Sequence, residues 1–165
     1  MEKVGDLLRE KILVVDNARF NRTMTAEILA RVGYSTVEVE NGTRALEMVQ
    51  VESPDLIVLD SPIPELDGLE VCRHLKSDPF TNHIPILIFT SNGSVPDKVN
   101  SLRTGADGYL AKPIVPEELI AQVDEYKKRV REIELEIEEM KREERSKGGT
   151  EEPRAGSSPP ASQDK

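Results

Sequence analysis

Asp55-Leu56-Ile57-Val58-Leu59-Asp60 is a run of four apolar residues with no polar alternation, closed by a carboxylate. A half-exposed strand alternates apolar and polar side chains. An unbroken apolar run instead suits a strand covered on both faces, as in a parallel sheet flanked by helices. Lys11-Ile12-Leu13-Val14-Val15-Asp16 has the same form and the same ending. Ligands of open parallel sheets bind in the crevice beyond the carboxyl ends of the strands, so Asp16 and Asp60 are expected to converge there. Two more runs end in polar groups, Ile86-Leu87-Ile88-Phe89 before Thr90 and Gly108-Tyr109-Leu110-Ala111 before Lys112. One sheet edge thus collects two acids, a hydroxyl and an amine.

Apolar runs at 11–15, 35–39, 55–59, 85–89 and 108–111 alternate with helical patterns, the signature of repeated βα units and hence of an α/β fold. Five helices are predicted. The first covers 20–31, with Phe20, Met24, Ile28 and Leu29 inward and Gly33 as its stop. Asn41 caps the second, which carries Ala45, Leu46 and Val49 and ends at Ser53-Pro54. The third follows Asp67-Gly68 with Leu69, Cys72 and Leu75 inward, and Pro79 limits it. Ser94 and Asp97 form a capping-box pattern for the fourth, which stops before Gly105, and Pro116 sits in the first turn of the last.

This last helix carries Leu119, Val123, Tyr126, Val130, Ile133, Ile137 and Met140 at alternating spacings of four and three, a heptad seam. With Val123, Val130 and Ile137 at a, all a residues are β-branched, and the g-to-e′ pairs Arg129–Glu134 and Glu136–Lys141 are attractive. That register predicts a parallel homodimer through residues 119–140. The competing reading is a solvated helical extension, because Leu119, Ile120 and Val123 must also pack this helix on its own sheet, and short coils are marginal alone. The expected organisation is a lead-in at 1–10, a domain at 11–128, a helical or coiled-coil extension at 129–145 and a disordered tail at 146–165, rich in Gly, Pro and Ser.

A length of 165 residues supports one ordinary core plus an appendage. The formal charge of −9 argues against binding nucleic acid, which needs a basic surface. No basic half hides behind that average, since residues 1–116 hold 12 basic and 17 acidic side chains and residues 117–165 hold 10 and 14. Cys72 is the single cysteine and reads as a small core residue, which excludes a disulfide within the chain. With no signal-like segment and no run of about 18 apolar residues, neither secretion nor a membrane is expected, and the cytoplasm is the default.

Clustered carboxylates repel each other, and a hard cation with oxygen ligands resolves the conflict. Mg²⁺ is expected rather than Zn²⁺, because His74 and His83 lie on the wrong segments to join these strand ends. Lys112 and Thr90 would then serve an oxyanion, so the inferred ligand is a phosphoryl group on a carboxylate.

In order and spacing, the segments KILVVDN, PDLIVLDSPIPELDGLEV, IPILIFTSN and GADGYLAKPI resemble the receiver domain of bacterial two-component response regulators over residues 10–128. The resemblance implies a flavodoxin-like (βα)5 doubly wound parallel sheet of strand order 2-1-3-4-5, here with an extended C-terminal helix. It implies that Asp60 is the phosphoacceptor for a histidine kinase or phosphotransfer protein, assisted by Mg²⁺. Asp16 then resembles the acid that holds the metal through water, Asn17 occupies the direct metal-ligand position, and the Pro62 carbonyl is similar to the backbone ligand. Thr90 and Tyr109 resemble the switch pair, Lys112 the amine bridging acceptor and phosphoryl oxygens, and Pro113 a cis residue that holds the next loop. Output is expected through contacts with a downstream protein, at a face built by residues 94–104, 108–111 and 116–128.

Asn17 departs from the family pattern, which places a second acid there. The acidic cluster falls from −3 to −2, so metal affinity is expected to weaken. Pro62 also replaces a more flexible side-chain type beside the acceptor and, with Asn92 two residues past Thr90, is expected to alter the rate of self-dephosphorylation. Asn17 motivates a rival reading as an interaction module of the same fold that does not depend on phosphate. An independent phosphatase fits poorly, because Pro62 stands where a general acid two residues beyond the nucleophile would be needed. The chain is therefore expected to catalyse no more than its own phosphoryl transfer and dephosphorylation.

Overall fold

Period-two alternation along the strands sorts the core of this computed structural model into two layers. Leu13, Val15, Ile57, Leu59, Ile86 and Ile88 pack on one side of the sheet; Ile12, Val14, Leu56, Val58, Leu87 and Phe89 pack on the other. Neighbouring residues in one strand thus serve opposite layers, which is why the runs carry no polar positions. Residues 10–61, 67–90, 103 and 105–148 are described. Their elements are β1 (Lys11–Val15), α1 (Arg19–Arg31), β2 (Ser35–Val39), α2 (Gly42–Glu52), β3 (Leu56–Ser61), α3 (Gly68–Ser77), β4 (Ile86–Thr90), β5 (Gly108–Ala111) and α4 (Pro116–Lys147).

All strand pairs are parallel, in the order β2-β1-β3-β4-β5, so the expected doubly wound topology holds. Parallel pairing carries all five carboxyl ends to one edge, and with them Asp16, Asp60, Thr90 and Lys112. The first layer is closed by Ala45 and Val49 of α2 and by Val71, Cys72 and Leu75 of α3. Ala26 and Leu29 of α1, with Leu119 and Val123 of α4, close the second.

Local signals act where they were read. The Asn41 side chain accepts from the Arg44 N–H at 2.8 Å, capping α2. Gly33, at φ +100°, takes the left-handed turn after α1. Asp67 accepts from the Leu69 N–H at 3.4 Å at the start of α3. The Lys112–Pro113 peptide is cis, as expected.

Two expectations are corrected. Phe20 does not point inward; it is 77% exposed. The stripe of α1 that meets the sheet runs through Arg22, Thr25, Ala26 and Leu29, and Arg22 holds its place by donating to the Asp16 carbonyl at 2.9 Å and pairing with Glu38 at 3.5 Å. The seam over 119–140 is also shortened. Leu119 and Val123 are fully buried in the sheet's second layer, and the Tyr126 hydroxyl donates to the Asp107 carbonyl, against Gly108. The Tyr34 hydroxyl donates to Asp124 at 2.5 Å, holding the same turns of α4 to the α1–β2 connection. None of these residues is free for a second helix.

From Lys127 the chain forms a second unit, within which Val130, Ile133, Leu135, Ile137 and Met140 are exposed. Pro62, Asn92 and the Ser94–Asp97 capping pattern lie outside the described residues, as do 1–9 and 149–165.

Candidate functional site

Three of the strand-end groups meet through one ammonium. Lys112 Nζ lies 2.8 Å from Asp60 Oδ1 and 3.3 Å from Asp16 Oδ2. Asp16 follows β1 directly, Asp60 is the penultimate residue of β3, and Lys112 follows β5, so three parallel strands deliver them to the same edge. Backbone contacts hold two of them. The Asp16 N–H donates to the Val39 carbonyl at 3.0 Å, and Asp16 Oδ1 accepts from the Ala18 N–H at 2.9 Å. The Lys112 N–H donates to the Thr90 carbonyl at 2.9 Å.

Asp16 and Asp60 are buried, at 5% and 8% exposure. Burial pushes the Asp60 carboxyl above its ordinary value near 3.8; Lys112 pulls it down by hydrogen bond and charge, while the Asp16 charge pushes it up again. Burial also opposes the Lys112 ammonium, but the hydrogen bond and charge of Asp60, with the charge of Asp16, outweigh that and hold it above 10.5. The two directions agree physically. The lysine faces two anions, whereas the aspartate faces one cation and a second anion.

Thr90 is buried at the end of β4, where it pairs in register with Ser61, one residue beyond Asp60, and with Ala111 on β5. Tyr109 is half-buried in β5, in register with Ile88. Asn17 is exposed in the bend after Asp16.

A hard cation fits this donor set. The buried carboxylates of Asp16 and Asp60 share one ammonium, and their remaining repulsion contributes to the raised Asp60 pKa. Asn17 follows Asp16 in sequence, and its amide oxygen is of the neutral donor type that such an ion accepts. No group of three or more His, Cys, Asp or Glu side chains suited to a metal exists among the described residues. Two carboxylates with open positions suit Mg²⁺, which keeps several waters and takes phosphoryl oxygens, better than an ion that needs a full protein cage.

Two supports of the site were not anticipated. Arg22 fixes the Asp16 carbonyl. Gly68 packs against the Asp60 backbone so closely that a Cβ there would lie 2.4 Å from the Asp60 carbonyl oxygen. The sequence did show a glycine just after the Asp67 cap, where a close approach of backbone is one reason for glycine. Nothing in it showed which backbone was approached.

Among the described residues, no helix is long and apolar enough to cross a membrane. Residues 12–124 match the family described as the response regulator receiver domain. The chain is 45% identical over 113 residues to response regulator MprA of Mycobacterium leprae, covering 68% of this chain and 49% of that protein. It spans about half the length of the curated relatives it matches. Its structure is similar to the chemotaxis response regulator CheY4 of Vibrio cholerae, with a TM-score of 0.67 and 29% identity over 71% of this chain and 98% of that one. The BeF3-activated N-terminal receiver domain of Klebsiella pneumoniae RstA is similar at a TM-score of 0.66 and 32% identity, over 70% and 96%.

Proposed function

The chain belongs to the response regulator receiver family, and from that premise we propose that it accepts a phosphoryl group on Asp60 from a histidine kinase or phosphotransfer protein and signals through contacts with a downstream protein. The observation that carries this reading is the single Lys112 ammonium shared by the buried Asp16 and Asp60 carboxylates at the carboxyl edge of the sheet.

In the proposed step, an Asp60 carboxylate oxygen attacks phosphorus in line with the donor histidine. The P–N bond breaks, its electron pair stays on the imidazole, and Asp60 becomes a mixed anhydride. Lys112 stays charged throughout, because both anions hold its proton, and it turns from the Asp60 carboxylate toward the incoming oxyanion. Thr90 supplies a hydroxyl to that oxyanion, and Tyr109 follows it as the second member of a switch. Asp16, Asn17 and Asp60 would hold Mg²⁺, which would offset the negative charge gathered around the phosphoryl group. The Pro62 carbonyl, read as a further ligand, lies outside the described residues. Conversion of one anionic group into a bulkier dianion at Asp60 then biases the face carrying β5 and the first turns of α4 between two states. This reading makes the protein a cytoplasmic signalling module rather than an enzyme with an external substrate.

Incubation with a small phosphodonor and Mg²⁺, followed by a phosphate-affinity gel, tests the reading. A retarded band is expected that requires Mg²⁺ and is absent in Asp60→Ala. No Asp60-dependent band over a broad magnesium range would overturn it in favour of a phosphate-independent interaction module.

A further inference from the structure

Beyond Lys127, the exposed apolar side chains of α4 fall largely on one stripe. Val130, Ile133, Ile137 and Met140 follow one another at spacings of three, four and three, and each is between 37% and 57% exposed. Glutamate, lysine and arginine fill most of the remaining positions of this segment. Four large apolar side chains in register with a heptad repeat match the seam of a coiled coil, not the broader stripe of a helix that packs on a sheet.

We infer that residues 130–140 pair in parallel with the same segment of a second copy of this chain. The charge pattern chooses the occupant. With Val130 and Ile137 at a and Ile133 and Met140 at d, Arg129 at g faces Glu134 at e of the other copy, and Glu136 faces Lys141. Each pairing occurs twice by symmetry, and every one is attractive. Val130 and Ile137 supply the β-branched a positions of two-stranded parallel coils, while Ile133 and Met140 occupy d, where such coils carry leucine, so the charge pairs and not the d layer set the pairing. Leu119, Val123 and Tyr126 lie on the extrapolated seam but are held by the sheet, so the coil begins at Val130. Four core side chains per helix bury little area, which makes the association weak, concentration-dependent and sensitive to salt through its flanking charges. This inference does not depend on phosphorylation at Asp60.

Sedimentation of the full-length protein over a wide concentration range tests it. The native chain is expected to reach the mass of a dimer, and Ile137→Glu to remain a monomer with its helical circular dichroism intact. Glu136→Lys sets lysine against Lys141 and is expected to weaken association roughly tenfold. Glu136→Lys combined with Lys141→Glu restores the attraction and the native mass. Met140→Cys places a thiol at a d position, and oxidation is expected to join two copies through it; Cys72, the only native thiol, is buried. A monomer at every concentration, a trimer, or a dimer indifferent to Ile137→Glu would overturn the inference. So would failure of the charge exchange to restore association, or of the introduced thiols to cross-link.

Discussion

Replacing Lys112 with methionine removes the ammonium while keeping a side chain of similar length and apolar stem. At 2.8 Å from Asp60, the pair has a gross attraction of about 6 kcal/mol at an effective dielectric near 20. Desolvation of the buried charges offsets much of that, and the net loss expected on removing one partner is about 1–3 kcal/mol. The remaining carboxylates then repel each other without relief. Because Lys112 is what lowers the Asp60 pKa, its loss lets burial and the Asp16 charge raise that pKa further. A carboxyl whose folded pKa lies above the unfolded value stabilises the fold below about 3.8, and that stability is lost as pH rises through the folded pKa. The deficit of Lys112→Met should therefore be largest near neutrality and shrink as pH falls toward about 4. In the parent, the raised Lys112 pKa keeps the ammonium in place through neutral pH, and its contribution is lost only on passing above 10.5. Urea denaturation in EDTA at several pH values measures both effects, and added Mg²⁺ should stabilise the variant more than the parent. A variant as stable as the parent near neutral pH, or a deficit that does not shrink with acid, would refute the reasoning.

Gly68→Ala puts a Cβ 2.4 Å from the Asp60 carbonyl oxygen, so the backbone must give way; a loss of about 1–3 kcal/mol in urea denaturation and slower phosphorylation of Asp60 are expected. Asn17→Asp restores a third carboxylate beside Asp16, and the magnesium concentration that half-saturates phosphorylation should fall by about tenfold. Within α4, Leu119→Ala should cost about 2–5 kcal/mol because the side chain is fully buried. Ile137→Ala, on the exposed stretch of the same helix, should cost less than about 0.5 kcal/mol when denaturation is followed at concentrations where the chain is monomeric.

Unbroken apolar runs were enough to identify strands buried on both faces, because a strand needs no polar position when helices cover both sides of its sheet. The same runs placed Asp16, Asp60, Thr90 and Lys112 at strand ends, and parallel pairing sends all such ends to one edge. The Asn41 cap and the Gly33 turn were legible for a simpler reason, since each is satisfied by atoms within a few residues of itself. Tertiary structure alone decided what depends on distant partners. Arg22 rather than Phe20 faces the sheet because its guanidinium finds the Asp16 carbonyl and Glu38. Leu119, Val123 and Tyr126 belong to the sheet because Leu87, Gly108 and Asp107 wait there, although their spacing continues the heptad without a break. Lys112 reaches Asp16 across 96 residues of sequence, a contact set by strand order and register rather than by local pattern. Periodicity dictates which residues share a face; only the packed chain determines what that face meets.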